Sequence, residues 1–172
     1  MQGDKAVEPF RYHLLPGYIF ASPEPALVST VVGACVAVCL WDRRLKIGAM
    51  NHFLHPKLAR RNEPTPRYGN VSLPAMIRLM VRQGCRREDM EAQIFGGGRR
   101  SMHDVSDVGK RNVKMARKIL KKNGIQIVSE DVGGIKGRRV LFHTFTSEAI
   151  VMKTDKIRRG DWAPYRYRLP QT

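Results

Sequence analysis

The sequence predicts an α/β (α+β) fold, with a mixed, largely antiparallel sheet and flanking helices, in one domain spanning residues 1–172. Three observations predict it. At 172 residues the chain has the length of one domain and can bury a core without disulfide staples. Two stretches carry apolar residues at helical spacing. Several further runs are short, β-branched and apolar, and they are interspersed with the helices without strict βαβ alternation.

Residues 26–53 hold ALVSTVV, CVAVCLW and KIGAMNHF, which predict two or three strands with WDRRLK as a hairpin turn. The segment HPKLARRNEPTPRYGN, rich in proline and basic residues, predicts an exposed loop. Leu73, Met76, Ile77, Met80 and Val81 then form one helical face. Asn70 or Ser72 is expected to cap that helix, with Pro74 in its first turn and Gly84 at its end. AQIFGGG reads as a buried strand entering a glycine turn. A second helix is expected from about Val108, with Val113, Ala116, Ile119 and Leu120 inward and Asn123-Gly124 at its end. GIQIVSEDVGG, RRVLFHTFTS and EAIVMK predict three more strands, with GGIKG as the turn joining the first two. Residues 161–172 lack periodicity and read as a loosely packed tail.

Composition bounds the function. The chain is 42% hydrophobic and 27% charged, as soluble globular proteins are, and no run approaches the roughly 18 apolar residues of a membrane span. The N-terminus lacks the basic and apolar regions of a signal peptide. Three cysteines, an odd number, argue for reduced thiols and a cytoplasmic location. The net charge of +16 calls for an anionic partner. Nine basic residues between Arg99 and Lys122 face only Asp104 and Asp107, and Lys110, Arg117 and Lys121 are the expected steering residues. A solvated, highly soluble surface explains scattered charge equally well.

The reactive side chains concentrate in Ser29 to Cys35 and in Asn51-His52. A cysteine after Gly33-Ala34 has open backbone around it, so nearby N–H groups can serve as an oxyanion hole. Equal strand arms about WDRRLK can bring His52 beside Cys35, and a neighbouring imidazole generates the nucleophilic thiolate. The plainer alternative is that Cys35 and Cys39 are small buried hydrophobes. Zinc on Cys35, Cys39, His52 and His55 is disfavoured, because two cysteines four apart on a straight strand stand about 13 Å apart. His13, His103, His143 and Cys85 read as ordinary structural residues, and Gly96-Gly97-Gly98 as a turn or the lining of a site entrance.

VVGACVAVCLWDRRLKIGAMNHFLHP resembles the signature of the CheD family, the chemoreceptor glutamine deamidases of bacterial chemotaxis. RYGN, IFGGG, VGKRNVKMARKIL and GIQIVSEDVGGIKGRRVLF extend the resemblance over about residues 11–153, leaving a basic tail at 155–172 outside it. The resemblance implies a single-domain sandwich of sheet and helices, and a cysteine-nucleophile hydrolase that needs no cofactor. Its catalytic residues would be Cys35 and His52, with Ser29 at the third position, six residues before the cysteine. Thr30, Gly33 and Ala34 are possible supporting residues. The chain departs from the family in having Ser29 where the family has threonine, Ala34 before the cysteine where serine is usual, and His55 where an apolar residue is usual. The implied substrate is glutamine on the cytoplasmic helices of chemoreceptors, and the implied regulator a CheC-type phosphatase.

On strand parity only one of Ser29 and Thr30 can face His52, and the family register assigns it to Ser29. Two other classes fit the sequence. A non-catalytic adaptor would bind receptors or a CheC-type phosphatase without releasing ammonia. A basic nucleic-acid-binding protein would shift arbitrary duplex with salt, although no specific nucleic-acid motif is present.

Overall fold

The computed structural model describes residues 8–162. In chain order its elements are β1 (Phe10–His13), β2 (Ile19–Ala21), β3 (Ala26–Val32), β4 (Val36–Asp42), β5 (Ile47–Phe53), α1 (Gly69–Arg82), β6 (Met90–Gly96), α2 (Val108–Lys122), β7 (Gln126–Val132), β8 (Gly137–His143), β9 (Ala149–Thr154) and α3 (Arg159–Trp162). Two sheets form, a four-stranded one ordered β1-β3-β8-β9 and a five-stranded one ordered β2-β5-β4-β6-β7. Only the β1–β3 and β6–β7 pairs are parallel, so the sheets are mixed and largely antiparallel.

The layers follow from side-chain parity. Ala37 and Cys39 of β4 join Val28, Val32, Met50, Phe95, Val140 and Phe142 in the core between the sheets. Val36, Val38 and Leu40 of the same strand face the other way, onto Leu73, Met76 and Met80 of α1 and Val113, Ala116 and Leu120 of α2. A strand covered on both faces has no use for polar alternation, which is why CVAVCLW is an unbroken apolar run.

The β4–β5 hairpin forms at WDRRLK, in register from Val36↔Phe53 to Asp42↔Ile47. Asp42, fully buried, holds that corner. It accepts the N–H groups of Arg44 at 2.9 Å, Leu45 at 2.8 Å and Arg86 at 3.2 Å. Gly84 and Gly124, at φ 90° and 68°, close the two long helices as expected.

Three local expectations are corrected. GGIKG is not a hairpin turn, because β7 lies parallel to β6 in the five-stranded sheet while β8 lies between β3 and β9 in the other. Val140 and Phe142 of β8 face the inter-sheet core, and the turn carries the chain from one layer to the next. Neither Asn70 nor Ser72 caps α1, which starts at Gly69 with no side-chain cap. The preceding loop folds back, and the carbonyls of His55 and Pro56 take the Gly69 and Asn70 N–H groups at 2.8 and 3.2 Å. Pro74 consequently lies beyond the first turn. The end of the chain is packed as far as Trp162, whose indole N–H donates to the Val31 carbonyl at 2.9 Å; residues 163–172 of the expected tail lie outside the described residues. No helix among the described residues is long and apolar enough to cross a membrane.

Candidate active site

Cys35 stands where the chain leaves one sheet for the other. β3 ends at Val32 and β4 begins at Val36, so Gly33-Ala34-Cys35 is the crossing. The glycine turn after β6 braces it: the Gly97 N–H donates to the Cys35 carbonyl and the Gly98 N–H to the Gly33 carbonyl, each at 2.8 Å. Gly96 has φ 108°, and a Cβ there would strike the Cys35 carbonyl oxygen, so this position requires glycine. The triple glycine is therefore a turn that braces the crossing from behind.

Cys35 is half-buried and packs at the rim of the inter-sheet core. It opens onto a cavity of about 560 Å³. Arg99, Arg100, Lys136, Lys156 and Arg158 line that cavity, with Asp155 as its acid. Burial pushes the Cys35 thiol up to about 11, partly offset by its own backbone N–H.

His52 lies opposite Ala37 in the β4–β5 ladder and is fully buried. Its Nδ1 is 2.8 Å from the Thr30 hydroxyl oxygen, and that hydroxyl donates to the Leu14 carbonyl at 2.8 Å. A hydroxyl has one proton. With that proton on Leu14, Thr30 accepts from His52, which places the imidazole proton on Nδ1 and leaves Nε2 with a free lone pair. Nε2 is buried and has no hydrogen-bond partner among the described residues. Burial, with a smaller contribution from His13, lowers the His52 pKa to about 3. Thiol and imidazole are thus both neutral at rest, not a preformed ion pair.

The expectation that Ser29 faces His52 is corrected. Ser29 is on the outer face of β3, with its hydroxyl 3.1 Å from His13 Nδ1, while His13 Nε2 lies 3.2 Å from the Trp162 carbonyl. β3 pairs with β8 without a bulge from Leu27 to Val32, so Thr30 shares the inward side of Val28 and Val32.

The other candidates do not join the site. Cys39 is in the core, and Cys85 is buried just after α1. His55 bridges to Tyr68, and His143 Nδ1 accepts the N–H groups of Phe145 and Thr146 at 3.3 Å. His103 is in the exposed loop before α2. No group of three or more His, Cys, Asp or Glu able to hold a metal occurs among the described residues.

One residue went unread in the sequence. Asn112 of α2 is fully buried, and its amide donates to the carbonyls of Ala34 and Leu54, each at 2.9 Å. Its signal was a polar side chain three residues before Met115 and one before Val113, on the inward stripe with Gly109 and Ala116.

The family model described as CheD chemotactic sensory transduction matches residues 55–153. The chain belongs to the CheD family. Relatives agree over a longer span. A protein of Sulfurimonas denitrificans named "Probable chemoreceptor glutamine deamidase CheD" is 34% identical over 141 residues, 80% of this chain and 90% of that one. One of Anaeromyxobacter dehalogenans, named "Probable chemoreceptor glutamine deamidase CheD 1", is 38% identical over 133 residues, 76% of this chain and 77% of its own. One of a Caulobacter species with the first of those names is 40% identical over 135 residues, 77% and 71% of the two chains. The CheD family match starts beyond Cys35 and His52, so the roles of these two residues are argued from their geometry.

Proposed function

We propose that this CheD protein deamidates glutamine side chains of chemoreceptors to glutamate, with Cys35 as nucleophile, His52 as acid and base, and Thr30 as the residue orienting His52. The observation that carries this reading is the Thr30–His52 bond, which holds the imidazole by Nδ1 and leaves the buried Nε2 lone pair without a partner among the described residues. The printed names of the relatives supply the substrate class.

Because both groups start neutral, the proton passes from Cys35 Sγ to His52 Nε2 as sulfur attacks the carboxamide carbon. The C–S bond forms and the carbonyl electron pair moves onto oxygen, where the backbone N–H groups of the Gly33–Cys35 crossing receive the oxyanion. His52 then returns its proton to the nitrogen; the C–N bond breaks and ammonia leaves a thioester. Water gives a proton to Nε2 and attacks the thioester carbon. Collapse breaks the C–S bond, the Nε2 proton passes to the departing sulfur, and the thiol is regenerated with glutamate left on the receptor. One domain spanning residues 1–172 would carry this chemistry, in the cytoplasm, where its three free cysteines stay reduced.

Incubation with purified cytoplasmic receptor fragments tests it. Ammonia release and amide-to-acid mass shifts at specific glutamines are expected from the wild type and absent from Cys35→Ala. Deamidation by a folded Cys35→Ala variant would reject the nucleophile, and receptor binding without deamidation would make the protein an adaptor.

A further inference from the structure

We infer that Asn112 is a positioning residue: it locks the peptide joining Ala34 to Cys35 so that the Cys35 N–H is preset for the oxyanion. The inference rests on the nucleophilic role proposed for Cys35.

The Asn112 side chain is an exception among its neighbours. Val113, Ala116 and Leu120 of the same stripe are core residues, whereas Asn112 brings a buried amide into the same interface. Its Oδ1 is buried with no partner among the described residues, and an unpaired buried acceptor is unfavourable. What offsets that cost is the other half of the amide. Both Nδ2 protons are used, one on the Ala34 carbonyl and one on the Leu54 carbonyl, at 2.9 Å each. No other donor among the described residues bonds either carbonyl.

Each carbonyl adjoins a reacting group. Leu54 is two residues past His52, immediately after the end of the strand that carries the imidazole. Ala34 contributes the C=O half of the peptide whose N–H half belongs to Cys35. A trans peptide is planar, with its C=O and N–H pointing in opposite directions. Pinning the Ala34 carbonyl toward α2 therefore sends the Cys35 N–H away from the helix, toward its own sulfur, the contact that partly offsets the rise in the thiol pKa. Once sulfur has bonded to a carbonyl carbon, the negative oxygen lies one bond from that carbon, within range of the same N–H. A Gly-Ala crossing lies outside both sheets, so no strand ladder fixes this peptide. Asn112 does so from a rigid helix, and the same amide ties the nucleophile's loop to the end of the base's strand.

The test separates chemistry that needs an oxyanion from chemistry that does not. Acylation of Cys35 by p-nitrophenyl acetate passes through a tetrahedral oxyanion; alkylation by iodoacetamide displaces iodide directly at carbon. In Asn112→Asp, which keeps the shape but cannot donate, and in Asn112→Ser, acylation should fall by on the order of tenfold or more. Alkylation should stay within about threefold of wild type, because the thiol and His52 remain in place. Equal losses in both reactions, unchanged acylation in a folded variant, or failure of both variants to fold would each overturn the positioning role. A wild type that is acylated yet deamidates no receptor would reject the proposed function and leave this inference standing.

Discussion

The Thr30 hydroxyl does two things with one oxygen: its proton goes to Leu14, and its lone pair receives the Nδ1 proton of His52. Removing it frees the imidazole to rotate and to populate the other tautomer. Thr30→Ala is therefore expected to lower kcat by on the order of tenfold or more, about 1.4 kcal/mol of transition-state stabilisation. Ser29→Ala, which disturbs only His13, should change it less than about threefold. Ammonia release at matched folding decides between them, and the reverse order would return the orienting role to Ser29. Burial of His52 also predicts a direction in pH. Its folded pKa of about 3 lies below the ordinary 6.5, so the unfolded chain takes the proton first. Stability is then full above pH 6.5 and declines as pH falls through the window down to about 3. His13, also lowered by burial, acts in the same direction. Urea midpoints at neutral pH and near pH 4 should differ less in His52→Gln than in wild type; an unchanged difference would assign the effect elsewhere. The hairpin register that sets His52 opposite Ala37 was legible in the sequence, because the arms about WDRRLK are a local pattern. The choice between Ser29 and Thr30 was not, since one residue of register exchanges the faces of a strand.

At the scale of elements, the site depends on two chain corners. Asp42 holds one by collecting the N–H groups of Arg44, Leu45 and Arg86, and this fixes the β4–β5 register that sets His52 opposite Ala37. Asp42→Ala would leave those buried donors unpaired and should destabilise the fold by about 2 kcal/mol or more, read from denaturant midpoints. A loss below about 0.5 kcal/mol would mean that water replaces the carboxylate. Gly96 holds the other corner. Gly96→Ala meets both its positive φ and the Cys35 carbonyl, so turnover should fall by on the order of tenfold or more even where the variant folds. Full activity in that variant would show that the crossing can shift without consequence. The hairpin at WDRRLK and both long helices were readable because each is a local pattern. GGIKG has equally good turn chemistry, yet it joins two sheets. Turn residues specify a bend in the chain, and only the pairing partners, here β6 for one arm and β3 and β9 for the other, decide between a hairpin and a crossing. β1 and β2, at four and three residues, are too short for an alternation to register.

Across the whole molecule, the charge of +16 is distributed unevenly between surface already paired and surface still free. Arg117, expected from sequence to steer a partner, is held by Glu130 through two bonds of 2.8 Å, and Arg111 is paired with Asp107 at 2.8 Å. The cations that surround the nucleophile come instead from loops: Arg99 and Arg100 after β6, Lys136 before β8, which pairs with Asp155 at 3.2 Å, and Lys156 and Arg158 after β9. Four of them belong to the two basic stretches seen in the sequence, but Lys136 does not, and only the crossing of strands between sheets gathers all five at one mouth. Arg99 also borders a second cavity, of about 750 Å³, shared with Lys110 of α2, which extends the positive surface beyond the mouth. Such a field speeds encounter with an acidic protein and is screened within about 8 Å at physiological salt. Replacing Arg99, Arg100 and Lys156 together by Gln should therefore lower kcat/KM for an acidic receptor fragment by on the order of tenfold at low salt. The deficit should shrink to less than about twofold near 0.5 M salt. Acylation by p-nitrophenyl acetate, a neutral ester with nothing to steer, should not change. A deficit that persists at high salt would mean short-range contacts with the substrate instead of steering, and no deficit at either ionic strength would make these cations solvated surface.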